Sequence, residues 1–196
     1  NISADRTLTV DDILNYYKLS TIAKSGNQEI EIFQIFKDRP MEYATVGWVA
    51  VGDLACNVFV PYYPMLTTDT YAGYQLSTAA ADFVEAQPES GVYYATTKNK
   101  RNENGERVKV EGFCVLPENW ADSVYWTMDA LSNLYEYGTL TDEEKAQVET
   151  TLADLQAECY EVYNQLKADP DNATAISAAA AQKVHEACVA LVNSVK

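Results

Sequence analysis

Cysteine and histidine are the residues of this chain that could carry out nucleophilic hydrolysis. The chain has one histidine, His185, and four cysteines: Cys56, Cys114, Cys159 and Cys188. A cysteine nucleophile needs a base within hydrogen-bond reach, and that base is usually histidine. His185 lies on a predicted helix between Val184 and Glu186, with no motif that would orient it. We therefore interpret it as a surface or packing histidine and assign no catalytic residue.

The spacing of the cysteines bears on metals and disulfides. The four cysteines are far apart, with no CxxC pair, whereas zinc ligands cluster in the sequence. We expect no metal and no cofactor, and four free, mostly buried thiols. An even number of cysteines would also fit disulfides in an exported protein, so the compartment stays open between cytoplasmic and exported.

Acidic residues dominate the charge of the chain, but their pattern does not indicate catalysis. The net charge is −15, from 29 acidic and 14 basic residues, which argues against binding nucleic acid or an anionic membrane. Neighbouring carboxylates such as Asp11-Asp12 and Asp142-Glu143-Glu144 fall at predicted helix starts. There they favour the helix dipole, and this explains them without an acid–base role.

The elements that would position any site begin with a predicted three-stranded antiparallel meander. Its strands are Glu29 to Phe36, Thr45 to Val51 and Ala55 to Val60, and Pro61 is expected to end the last one. From Phe33 onward both faces of the first strand are apolar, so we expect that strand to run into a covered interior.

Helices are predicted before and after this sheet in the sequence. Thr9 and Asp12 form a capping-box pattern at the start of the first helix, and Thr141 and Glu144 form another. The last third of the chain reads as three helices, which start near Trp120, Thr141 and Ile176. We expect the last two to form an antiparallel hairpin that packs against the Trp120 helix.

The middle of the chain gives weaker signals. We expect an irregular surface segment at Tyr62 to Tyr74, a short helix at Leu76 to Ala86 and a β-prone run at Val92 to Thr97. The basic stretch Lys98 to Lys109 is expected to be a solvated loop or hairpin tip, because it contains Asn104-Gly105.

Several of these segments resemble the dipeptidase A and secernin family. The similar runs are IFQI, TVGWVAVGD and NVFVPYYP in the sheet, ADRTLTVDDILNYYK before it and WADSVYWTMDALSNL after it. The likeness is clearest over Ala4 to Pro64 and Trp120 to Leu134. One position departs from the family: an arginine tends to follow the IFQI-like run, and this chain has Phe36 there. No role of that arginine is carried over to Lys37 or Arg39.

The resemblance implies an α+β fold: an antiparallel sheet with packed helices, part of a four-layer αββα hydrolase sandwich, with a helical C-terminal subdomain. It divides the chain at residues 1–116 and 117–196. In such hydrolases the nucleophile is a terminal cysteine, and Asn1 has neither a thiol nor a hydroxyl. The resemblance therefore implies the C-terminal portion of a cysteine-dependent dipeptidase. Its partners would be a missing N-terminal half and a short peptide, and a homo-oligomer is left open.

Three residues are candidates for lining a substrate cleft: Gln34, Asn57 and Trp48. Gln34 falls on the strand face of Ile30 and Ile32, where a buried amide needs a partner, so it either braces a loop or contacts substrate. Asn57 poses the same question, and Trp48 reads mainly as a core residue.

Two alternative functions remain open from the sequence. One is a binding or assembly module that uses the Tyr62 to Tyr74 segment and the helical hairpin as contact surfaces. The other is a hydrolase of a different amide bond on the same fold, such as that of an acyl-amino acid.

Overall fold

The protein has an α+β fold, as the sequence predicts. The computed structural model describes residues 6–19, 29–52, 56–75, 80–138 and 140–195. The helices are α1 (Val10–Tyr17), α2 (Val124–Tyr137), α3 (Asp142–Ala168) and α4 (Ala173–Val195). The strands are β1 (Glu29–Ile35), β2 (Thr45–Val51), β3 (Val60–Tyr62), β4 (Asp82–Val84), β5 (Tyr93–Arg101) and β6 (Arg107–Val115).

The first sheet is the predicted antiparallel meander, in the order β1-β2-β3. The predicted bounds of β2 are confirmed, and β1 ends one residue before its predicted end. The N–H of Phe36 still donates to the carbonyl of Ala44, 2.7 Å away, and a turn and the short 3-10 helix Met41–Tyr43 then connect β1 to β2.

The prediction for the third strand is wrong. The strand is Val60–Tyr62, Pro61 lies inside it rather than after it, and residues 53–55 lie outside the described part of the chain. The reason lies in a distant side chain. The amide of Gln156 on α3 accepts from the N–H of Phe59 at 2.9 Å and donates to the Phe59 carbonyl at 3.1 Å. These backbone groups are satisfied without a strand neighbour, and Pro61 is tolerated because β3 is an edge strand.

The two faces of the first sheet differ in their cover. On one face, Trp48 of β2 lies opposite Ile32 of β1 and is fully buried against α3. On the other face of β1, Phe33 is 53% exposed and Ile35 is 69% exposed. Within the described residues, α1 and α3 cover the Trp48 face of the sheet, and the cover expected on the other face of β1 is not supplied.

The second sheet has the order β4-β6-β5, with β5 and β6 joined as a hairpin. The predicted basic loop is mostly strand, and the turn sits at Gly105, whose φ is +78°. The short helix predicted at Leu76 to Ala86 is wrong where the structure describes it. Asp82–Val84 instead pairs with Phe113–Val115 as β4, and residues 76–79 lie outside the described ranges.

The C-terminal helices follow the sequence prediction closely. Both predicted capping boxes are present, at Thr9 with Asp12 and at Thr141 with Glu144. Gly138 ends α2, and α4 packs against both α2 and α3. Tyr62 and Tyr63 are buried, which corrects the expectation of a surface segment for these two residues. From Pro64 to Tyr74 the chain is irregular and mostly exposed or half-buried, as predicted. The helices and β3 together enclose the largest core cluster.

Candidate functional site

Two of the three candidate cleft residues line one pocket beside α1. This Trp48 pocket has a volume of about 320 Å³. Its lining residues are Leu8, Thr9, Val10, Ile13, Ile32, Phe33, Gln34 and Trp48. Gln34 and Trp48 come together because Gln34 lies opposite Val46, so Trp48 is its diagonal neighbour on the same sheet face.

Both polar atoms of this pair are buried and lack a hydrogen-bond partner among the described residues. They are Oε1 of Gln34, which can only accept, and Nε1 of Trp48, which can only donate. Buried polar groups are normally paired, so an unpaired acceptor beside an unpaired donor is unusual. A peptide group offers the complementary donor and acceptor together. The alternating polarity of β1 predicts the inward direction of Gln34.

Asn57 lies elsewhere and has a bracing role. Its Nδ2 donates to the carbonyl of Val51 at 2.6 Å, and its Oδ1 accepts from the N–H of Val58 at 2.8 Å. The side chain therefore holds the connection between β2 and β3. Asn57 lines a different pocket of about 380 Å³, which also contains Lys18 and Cys56. Burial lowers the pKa of Lys18 in that pocket, a feature for which the sequence carries no signal.

The four thiols are in poor positions for nucleophilic attack. Cys56, Cys159 and Cys188 are buried, Cys114 is half-buried, and none forms a disulfide. Burial raises the pKa of Cys159 and of Cys188 to about 12, and it also raises the pKa of Cys114. The thiolate is the reactive form, and a raised pKa removes it at neutral pH.

His185 is a buried packing residue on α4. Its Nδ1 lies 3.1 Å from the hydroxyl of Tyr71, and its Nε2 lies 3.0 Å from the hydroxyl of Thr127. Burial lowers its pKa, although Asp122 and Glu186 oppose this effect. Because both ring nitrogens lie within hydrogen-bond distance of hydroxyl groups, this histidine is not placed to activate a cysteine.

The lowered pKa of His185 makes stability depend on pH. The folded chain binds fewer protons at His185 than the unfolded chain does, so stability should fall as pH drops from about 6.5 through the folded pKa. We expect His185→Gln, an uncharged side chain that can still hydrogen-bond, to flatten this dependence. The measurement is urea unfolding of both proteins between pH 5 and 8. Parallel pH profiles for the two proteins would contradict this assignment.

The described ranges hold neither a metal-binding cluster nor a membrane-spanning helix. In these ranges, no three or more His, Cys, Asp or Glu side chains come together as a metal-binding group. Within the same ranges, no helix has the length and apolar character to cross a bilayer.

One comparison with known proteins gives a match. A family model described as peptidase family C69 matches residues 4–105, which include α1, the first sheet and β5. No curated protein and no solved structure matches the chain.

Proposed function

This chain belongs to peptidase family C69, the family of dipeptidase A and secernin-type cysteine peptidases, and we propose that it is part of a cysteine-dependent dipeptidase. The family makes a peptidase the expected activity. The proposed reaction is hydrolysis of short peptides. A cysteine thiolate attacks the peptide carbonyl carbon, the C–N bond breaks and the protonated amine leaves, and water then hydrolyses the thioester to release the acid and restore the thiol.

The observation that supports a nucleophile outside this sequence is the state of the four thiols. Three are buried, and burial raises the pKa of Cys114, Cys159 and Cys188. The ring nitrogens of His185 lie beside Tyr71 and Thr127 rather than a thiol. We therefore propose that the reactive cysteine comes from an N-terminal half of the same protein.

In this proposal, the described chain contributes peptide binding. Oε1 of Gln34 would accept from a peptide N–H, and Nε1 of Trp48 would donate to a peptide carbonyl. The exposed side chains of Phe33 and Ile35, on the opposite face of β1, would pack against the N-terminal half. Exposed apolar patches of this kind are typical of interfaces.

The burial of Tyr62 and Tyr63 weakens the alternative of a binding module. That alternative used the Tyr62 to Tyr74 segment and the helical hairpin as contact surfaces, and within the segment these two tyrosines point inward. Hydrolysis of another amide bond on the same fold stays a second candidate. Assays with dipeptides and with N-acyl amino acids distinguish it from the dipeptidase proposal.

The 196-residue chain alone is expected to show no turnover of dipeptides or of N-acyl amino acids. The physical reason is that Cys56, Cys159 and Cys188 are buried, and that burial raises the pKa of Cys114, Cys159 and Cys188. Each substrate class should be assayed with the chain, with its fourfold Cys→Ser variant, and with the protein extended to include its N-terminal half. The extended protein should cleave dipeptides and lose that activity to iodoacetamide.

Two results would contradict the proposal. Turnover by the 196-residue chain that survives replacement of all four cysteines would require another mechanism. An extended protein that cleaves acyl-amino acids but not dipeptides would favour the second candidate.

A further inference from the structure

A third pocket lies at the far end of the first sheet, between the turn that follows β1 and the end of α3. Its volume is about 340 Å³. Its lining residues, which define the Arg39 pocket, are Arg39, Tyr43, Tyr63, Lys167 and Pro170. All five lie in described parts of the chain. The volume falls in the range of small-molecule sites.

The guanidinium of Arg39 is held from two sides. Its Cζ lies 3.4 Å from the centre of the Phe36 ring, and its Nη1 donates to the hydroxyl of Tyr163 at 3.1 Å. Stacking on a ring and donation to a hydroxyl restrict the plane of the guanidinium. A guanidinium fixed in this way loses little further freedom when it binds a planar anion.

Lys167 brings a second positive charge to the same pocket. Its Nζ lies 4.6 Å from the centre of the Tyr163 ring, so Tyr163 contacts both cations. In the described part of the chain, neither Arg39 nor Lys167 forms an ion pair with a carboxylate. The acidic residues nearest in sequence, Asp38 and Asp169, are exposed. In a chain of net charge −15, two cations that line one pocket without an ion-pair partner among the described residues are notable.

Tyrosine side chains form the remaining walls. Tyr63 is 1% exposed, and its ring lies 6.3 Å from that of Tyr43. Burial raises the pKa of Tyr63 although Arg39 beside it acts in the opposite direction, so its hydroxyl stays protonated and can donate. The pocket thus combines cationic donors, phenolic hydroxyls and aromatic surface.

We propose that the Arg39 pocket binds a small carboxylate that carries an aromatic or aliphatic group. The fork of Arg39 matches the two oxygens of a carboxylate, and Lys167 adds charge. The half-buried ring of Tyr43 forms a surface for the apolar part of the ligand, and the buried Tyr63 also lines the pocket. Binding here needs no catalysis, so this proposal is independent of the peptidase proposal.

The test is a titration of the 196-residue chain by isothermal calorimetry and NMR. Benzoate is the probe, benzamide is its uncharged analogue of the same shape, and inorganic phosphate is the alternative oxyanion. We expect saturable binding of benzoate that weakens with added salt, with at least about tenfold weaker binding of benzamide. Phosphate binding more tightly than benzoate would overturn the assignment of a carboxylate.

Substitutions that each remove one positive charge test whether benzoate binds in the Arg39 pocket. Arg39→Gln should weaken benzoate binding at least about tenfold and Lys167→Gln by a smaller factor, because Lys167 is exposed. Lys37→Gln removes the same charge from an exposed position that does not line the pocket, and it should leave binding unchanged. An equal loss in Lys37→Gln, or no loss in both Arg39→Gln and Lys167→Gln, would refute the proposal. Circular dichroism of each variant checks that it is folded.

Discussion

Trp48→Ala is expected to lower the free energy of unfolding by about 3–5 kcal/mol, the range for a large aromatic residue truncated in a core. Trp48 is fully buried, and its ring meets those of Tyr160 and Tyr163 edge-on, with centroids 5.6 and 5.7 Å away. The substitution removes both the apolar area that the ring buries and its contacts with the two tyrosine rings. The sheet on one side and α3 on the other prevent the site from collapsing. The measurement is urea unfolding followed by far-ultraviolet circular dichroism.

Two other variants show which property of Trp48 accounts for the loss of stability. Phe33→Ala removes an aromatic ring from the half-exposed face of the same sheet and should cost much less than Trp48→Ala. Trp48→Phe keeps an aromatic ring but loses Nε1, so it should retain most of the stability. If Nε1 binds substrate, Trp48→Phe should lower kcat/KM of the extended protein. A cost for Trp48→Ala no larger than for Phe33→Ala would contradict the central packing role of Trp48.

Gln156→Leu should cost about 2–6 kcal/mol, although the two side chains are similar in volume. The reason is that Gln156 bonds both backbone groups of Phe59, and the variant leaves a buried N–H and a buried carbonyl unpaired. Each unpaired group costs about 1–3 kcal/mol. Urea unfolding at pH 7 measures the loss.

Gln165→Leu is the matched control, since Gln165 is an exposed residue of the same helix. Its effect should stay within about 0.5 kcal/mol. A nearly neutral Gln156→Leu would show that water or a shift of the backbone satisfies Phe59 instead.

Local patterns in the sequence predict much of the fold. The alternation of β1, the β-branched run of β2 and the two capping boxes each depend on residues a few positions apart, and each prediction is confirmed. The apolar run before Pro61 does not form the predicted strand, because Gln156, which is distant in sequence, hydrogen-bonds the backbone N–H and carbonyl of Phe59. The strand β4 is not predicted, because it has only three residues and its pairing with β6 depends on residues distant in sequence.

The candidate sites also include one feature that local sequence predicts and one that it does not. The inward direction of Gln34 follows from its place in an alternating strand, and the structure adds that its Oε1 and the Nε1 of Trp48 are both unpaired among the described residues. The Arg39 pocket could not be predicted, because Arg39 and Lys167 come from opposite ends of the chain. The positive charges are evident from the sequence, but the sequence does not show that the two residues line the same pocket.

The inward-pointing tyrosines limit how the protein tolerates alkali. The chain has 14 tyrosines and 5 phenylalanines, so phenols provide much of its aromatic packing. Burial raises the pKa of Tyr62 to about 12 and that of Tyr74 well above its usual value. A phenol whose pKa is higher in the folded chain stabilises the fold below about pH 10, and that stabilisation is lost as pH rises toward the folded pKa. Buried phenolate formation and unfolding are therefore coupled in this protein, a limit that a phenylalanine core would not impose.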